Sequence, residues 1–160
     1  MRFKVAPDPV DSDLLGAVHG AIPLVPGSVD DCCARILNRT AVTAREDAEA
    51  WLTFCRALHL ATETDRGYER QRCDPTDEAV AEAFVERVFG VPELLDALDA
   101  ADEPLSAEAG FAAIRDAVPT WERNRHGDWE RVWTARTRCL LDWGVVFGHV
   151  ERADEGYRPV

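Results

Sequence analysis

Arginine is the side chain in this sequence best suited to act on a partner. Seventeen of the 18 basic residues are arginine, Lys4 being the single lysine. Two short segments gather them. Arg66, Arg70 and Arg72 stand against Glu69, while Arg123, Arg125, Arg131, Arg136 and Arg138 stand against Glu122, Asp128 and Glu130. Each segment nets +2, so the remainder of this −12 chain carries −16. A guanidinium presents a planar fork of N–H donors that fits phosphate oxygens and the edge of guanine. Catalytic constellations are not legible: no G-x-S-x-G, G-x-x-x-x-G-K-[ST], G-x-G-x-x-G or H-E-x-x-H motif occurs. His19, His59, His126 and His149 are isolated and read as surface or core-edge side chains. Asp30-Asp31 and Glu46-Asp47 sit where helices start, and carboxylates there complement the macrodipole without a catalytic role. Cys55 and His59, four apart on a helix, could offer two ligands to one metal. No C-x-x-C pair accompanies them, and the five cysteines read instead as small thiols buried on helix faces. The expectation is a non-enzymatic protein with no metal and no cofactor.

The body that carries these arginines is acidic. Thirty Asp and Glu face the 18 basic residues, and Ile22, Ile36 and Ile114 are the only isoleucines. An acidic surface with almost no lysine and abundant Asp, Glu, Ala and Val resembles proteins of salt-in halophilic archaea. There the Debye length shrinks to about 3 Å near 1 M salt, so self-repulsion matters little. The other reading of this composition is an acidic protein from a GC-rich bacterium. The 160 residues, 46% hydrophobic, suit one compact domain or two small ones with a real core. No apolar run approaches the roughly 18 residues of a membrane helix. Arg2 and Lys4 are followed by Asp8, Asp11 and Asp13 rather than by the apolar stretch of a secretory leader. An odd cysteine count with an adjacent pair, Cys32-Cys33, also argues against a secreted disulfide framework. A cytoplasmic protein with no membrane contact is expected.

Helix and turn signals place the arginine segments. Leu14 to Ile22 predicts a first helix, ended by Pro23 and the Pro26-Gly27 turn. Ser28 can cap a second, with Val29, Cys32, Cys33, Ile36 and Leu37 at three- and four-residue spacing, broken by Asn38-Arg39-Thr40. Thr43 and Glu46 form a T-x-x-E capping box for a third, whose apolar stripe is Trp51, Phe54, Cys55 and Leu58. The period then changes: Leu60–Thr64 is extended, Asp65-Arg66-Gly67 turns, and Tyr68–Arg70 returns, with Gly67 expected at positive φ. Further on, Asp74-Pro75 is expected to open a helix carrying Val80, Ala83, Phe84 and Val88. Helices follow over 92–101 and 107–118, and a long one from about Asp128 to Phe147 puts Trp129, Val132, Trp133, Leu140, Trp143 and Phe147 on one side. Gly144 and Gly148 predict close packing or an early end to that helix.

The ending recurs. A shift of 89 residues lays Trp51–Arg70 over Leu140–Pro159, matching Leu52, Asp65, Gly67 and Tyr68 to Leu141, Asp154, Gly156 and Tyr157. The only two tyrosines each follow a turn glycine, and both segments pass from helical to extended periodicity. By this repeat Gly156 is also expected at positive φ. Ser28–Arg70 resembles the winged helix-turn-helix superfamily in the apolar positions of its second and third helices and in the hairpin wing. Residues 76–160 are similar, but Pro119–Gly127 is far longer than a helix-turn-helix turn. The resemblance implies a mainly α protein with short β-hairpin wings (α+β), built as two tandem winged-helix domains over residues 1–72 and 73–160.

Winged helices mostly bind DNA, and many dock proteins, so the faces must choose. At about 100° per residue, Arg131, Thr134 and Arg138 lie opposite the apolar stripe of the last helix and point outward, whereas Arg136 falls on that stripe and snorkels. An outward Arg/Thr/Arg row suits a major groove; the competing reading is solvated arginines paired with carboxylates. In the first unit the third helix instead turns Glu46, Glu49, Thr53 and Arg56 outward. Any DNA contact there falls to Arg66, Arg70 and Arg72, on backbone or minor groove. The leading expectation is a DNA-binding transcriptional regulator using Arg66, Arg70, Arg72, Arg131, Thr134 and Arg138 on double-stranded DNA. The alternative is a protein-interaction adaptor whose acidic first domain docks a basic surface or a second copy in a homodimer.

Overall fold

The computed structural model describes residues 6–9, 12–125 and 127–160; Arg2, Lys4, Asp11 and His126, weighed above, lie outside them. The chain divides into two units, Met1–Val88 and Phe89–Val160.

In the first unit, α1 (Ser12–Ala21) buries Leu15 and Val18, and Ile22 is buried just beyond it. Ser28 caps α2 (Val29–Arg39) as expected, its hydroxyl accepting from the Asp31 amide at 3.0 Å. The Thr40 hydroxyl and amide both donate to the Ile36 carbonyl, closing α2. The capping box at Thr43 and Glu46 does not form. α3 (Arg45–Ala57) begins one residue too late for it, with Ala44 at the cap position and no side-chain cap bond. α3 buries Trp51, Leu52, Phe54, Cys55 and Ala57. His59 follows at φ 61, outside the helix, so it does not share a helical face with Cys55. β1 (Ala61–Thr64) and β2 (Gly67–Arg70) pair antiparallel as the wing, with Thr64 opposite Gly67. Gly27 adds a short third rung by exchanging backbone hydrogen bonds with Tyr68.

Asp74-Pro75 does not start a helix. The Asp74 carboxylate accepts from the Thr76 amide and hydroxyl, which makes a local turn. α4 (Glu78–Arg87) opens after Asp77 and buries Val80, Ala83 and Phe84. It lies in the first unit, where Phe84 meets Phe54 edge-on at 6.5 Å, although the sequence placed it beyond the 72/73 division.

The second unit repeats the plan with an insertion. α5 (Val91–Ala100) and α6 (Ala107–Ile114) stand where α1 and α2 stood, and Ser106 caps α6 as Ser28 caps α2, accepting from the Ala109 amide at 3.1 Å. Leu105 takes the part of Gly27, bridging to Tyr157. The long Pro119–Gly127 stretch holds a short helix, α7 (Thr120–Arg125), which a simple helix-turn-helix lacks. α8 (Trp129–Val146) is the third helix, and β3 (Val150–Ala153) with β4 (Gly156–Pro159) is the wing.

The 89-residue repeat is carried by the backbone itself. Leu58 N–H to Phe54 O, Leu60 N–H to Cys55 O and Gln71 N–H to Leu60 O recur as Phe147 to Trp143, His149 to Gly144 and Val160 to His149. Both wings share one register, and the left-handed His59 maps onto Gly148 at φ 79. Gly144 is where wing and helix touch: a Cβ there would lie 2.8 Å from Val150 Cγ2. The positive φ of the second turn is not at Gly156 but at Asp154, φ 55. Gly156 is small for another reason, since a Cβ would sit 2.8 Å from Leu105 O.

Candidate nucleic-acid interface

α8 faces inward with Trp133, Leu140, Leu141 and Trp143, all buried, while Trp129, Val132 and Phe147 are half-buried. Its opposite side carries Arg131 and Arg138, both exposed and two turns apart, or about 10 Å along the axis. Among the described residues Arg131 has no ion-pair partner. Arg138 reaches Glu108 on α6 at 3.2 Å, with the two side chains 55% and 68% exposed. A pair that open to water contributes well under about 1 kcal/mol and exchanges readily for a phosphate or a base edge. Thr134, half-buried, donates its hydroxyl to the Glu130 carbonyl at 2.7 Å, so only its methyl and lone pairs remain for a partner.

Arg125, at the end of α7, is exposed; Arg123 and Arg136, with Arg115 from outside the segment, are structural. Arg136 lies over the Trp133 ring at 4.8 Å and 3.3 Å from Glu122, a carboxylate 3% exposed. Arg123 and Arg115 lie over Trp129 at 4.7 and 4.8 Å, and Phe111 meets the same ring edge-on at 5.9 Å. Arg123 also donates to the carbonyls of Val118 and Arg115, and Arg115 pairs with Glu130. These contacts fix the first turn of α8, from which Arg131 projects. Arg136 lies against the apolar stripe as its position predicts, whereas the roles of Arg123 and Arg115 are not legible in the sequence. The available signal is Glu122 in the insertion, a carboxylate whose burial requires a cation.

In the first wing Arg66 sits exposed at the turn. Arg70 is held: its guanidinium donates to Gly20 O at 3.0 Å and its amide to Pro23 O at 2.7 Å, which binds the wing to the end of α1. Arg72 is exposed beyond β2. The corresponding face of α3 is acidic. Glu46, Asp47, Glu49 and Thr53 are exposed, Arg45 is taken by Asp30 at 2.6 Å and Glu49 at 3.1 Å, and Arg56 by Glu63 at 2.8 Å. Under the 89-residue shift Glu49 occupies the position of Arg138, so the two third helices carry opposite charge at one site of one scaffold. The second wing ends in Asp154-Glu155, and its strand arginines Arg152 and Arg158 are paired with Asp142 and Glu151.

Three helices, a bridging residue and a hairpin, twice over, with an exposed third-helix face in each unit, define a tandem winged-helix protein. The halobacterial double winged helix domain family matches residues 1–160, and the chain belongs to that family. Its halobacterial character agrees with the acidic, lysine-poor composition. No curated protein and no solved structure matches the chain. Among the described residues no helix is long and apolar enough to cross a membrane.

Proposed function

We propose that the protein is a cytoplasmic DNA-binding regulator that reads duplex DNA with α8 of the second unit. The observation that carries this reading is the pair Arg131 and Arg138, set on the exposed side of a third helix whose first turn is braced by three aromatic and cationic contacts. Arg131 is free to meet a base edge, and Arg138 gives up only a solvent-exposed pair. The first unit contributes through Arg66 and Arg72, because Arg70 is occupied in holding the wing and the α3 face would repel phosphate. The test is binding to genomic fragments in KCl. Arg131→Ala and Arg138→Ala should each cost about 1–3 kcal/mol on the preferred site and relax its sequence preference. Arg66→Ala should weaken binding to all sequences alike. No binding to any duplex even at low salt would end this reading.

The second reading is an adaptor, and the acidity of α3 is what favours it. Glu46→Ala with Glu49→Ala should leave DNA affinity unchanged or raised. Loss of function in cells with DNA binding intact would instead make that face a docking surface for a basic partner or a second copy.

A further inference from the structure

Where the first wing meets α1, the structure carries a groove of about 560 Å³. Leu24, 46% exposed, gives it an apolar side that runs on into Val25, 75% exposed. Arg70 and Arg72 bring cationic heads to it, on a protein of net charge −12. Of the five N–H donors on Arg70, one is used by Gly20 O, and Arg72 has no ion-pair partner among the described residues. The one carboxylate at the rim, Asp74, already accepts two hydrogen bonds from Thr76, which hold its pKa below the ordinary range. It stays ionised, and among the described residues it makes no ion pair with Arg70 or Arg72. His19, buried against the same wall, donates from Nε2 to Gln71 O at 2.7 Å, since a carbonyl only accepts.

From these groups we infer that the groove is a binding site for a small amphipathic carboxylate, its head on Arg72 and Arg70 and its alkyl or aryl tail along Leu24. The volume falls in the range of small-ligand sites, about 300–1,000 Å³, although the groove is shallow and largely open to solvent, which suits a weak ligand. A protein interface needs roughly 800 Å² on each partner, far beyond seven lining residues. Charge complementarity selects an anion, and the apolar side selects a tail. The groove walls are the joints of the wing: Arg70 to Gly20 and Pro23, and His19 to Gln71. A ligand bridging Arg70 and Arg72 would take Arg72 from DNA and bear on β2, which follows the turn that presents Arg66, so ligand and duplex oppose each other. This adds regulation to the DNA reading and rests on it only for that last link.

The experiment is isothermal titration of the full chain with octanoate in KCl, without DNA, beside acetate and 1-octanol. Saturable octanoate binding in the millimolar range is expected, with acetate and 1-octanol each about tenfold weaker or undetectable. Arg72→Glu should weaken octanoate about tenfold or more, Leu24→Ser should weaken it too, and Arg131→Ala should leave it unchanged. Absence of saturable binding overturns the site. So does equal binding of 1-octanol, or binding indifferent to Arg72→Glu, in chains whose melting curves show them folded. Octanoate binding by a protein that binds no duplex would sink the DNA reading and leave this site standing.

Discussion

Tyr157 shows how one residue ties the second wing to its helix. Its phenol donates to Asp142 Oδ1 at 2.6 Å, and Arg152 reaches the same oxygen at 2.8 Å. Burial first, and then the bond to Asp142, push its pKa up to about 12. The ordinary value is about 10, so the stabilisation is whole below pH ~10 and is lost as pH rises toward 12. Melting temperature should therefore fall across that window, and Tyr157→Phe should fall less steeply. Parallel curves for the two proteins would contradict the assignment. Glycine gives a second contrast. Gly67 lies at φ 126 with Gly27 O only 2.3 Å from where a Cβ would be, so Gly67→Ala meets both strain and backbone. A loss of about 2 kcal/mol or more is expected from urea unfolding. Gly156→Ala meets the Leu105 carbonyl and the Pro104 backbone at 2.8–3.3 Å but needs no positive φ, and its loss should be smaller.

The first turn of α8 decides where Arg131 points, and Trp129 decides that turn. With Arg115, Arg123 and Phe111 all on its ring, Trp129→Ala removes the brace while leaving the buried face of α8, from Trp133 to Trp143, in place. The expected outcome is a folded protein whose sequence preference is relaxed several-fold, with the salt dependence of binding nearly unchanged. Equal loss on all sequences would assign Trp129 to fold stability alone. Elements of this kind mark the limit of what the sequence discloses. The helices, both wings and the 89-residue repeat were legible because burial writes a period into the chain, and Gly144 and Gly148 announced the helix–wing contact and the helix end. Local polar choices were not: Thr43 misses the cap by one residue, Asp74 makes a turn instead of a helix start, and the second turn places its positive φ at Asp154. The same holds for the arginines. Spacing put Arg131 and Arg138 outward and Arg136 on the stripe with Trp133, but only the fold assigns Arg123 to Trp129 and Arg136 to a buried Glu122. Glu122 comes from α7 and Arg136 from α8, so the pair exists only once the two helices pack.

At the scale of the whole molecule, charge governs folding and, on the DNA reading proposed above, binding, and salt acts on the two in opposite directions. With −16 outside the two arginine segments, repulsion opposes the folded state at low salt, where the Debye length is about 10 Å at 0.1 M. Melting temperature should rise steadily from low to molar KCl; a flat or falling curve would contradict the role given to the acidic surface. DNA binding responds the other way, since each phosphate contact releases counterions and lowers log K by about 0.9 per unit of log salt. Few arginines are left for that role. Within the two basic segments and their brace, Arg123, Arg136, Arg115 and Arg70 are occupied within the fold, which leaves Arg131, Arg138, Arg66 and Arg72 on the proposed faces and Arg125, exposed on α7, beside them. If two to four of them meet phosphate, the slope is about −2 to −4, shallow for a DNA-binding protein. Such a slope lets binding persist where the acidic body is best screened, with specificity resting on contact hydrogen bonds to bases rather than on long-range attraction. Titration of a preferred duplex across the KCl range should return that slope, and Arg66→Ala should flatten it by about one unit. A slope near −8 or steeper would require cationic contacts beyond these four and Arg125, and would move the interface away from α8 and the first wing.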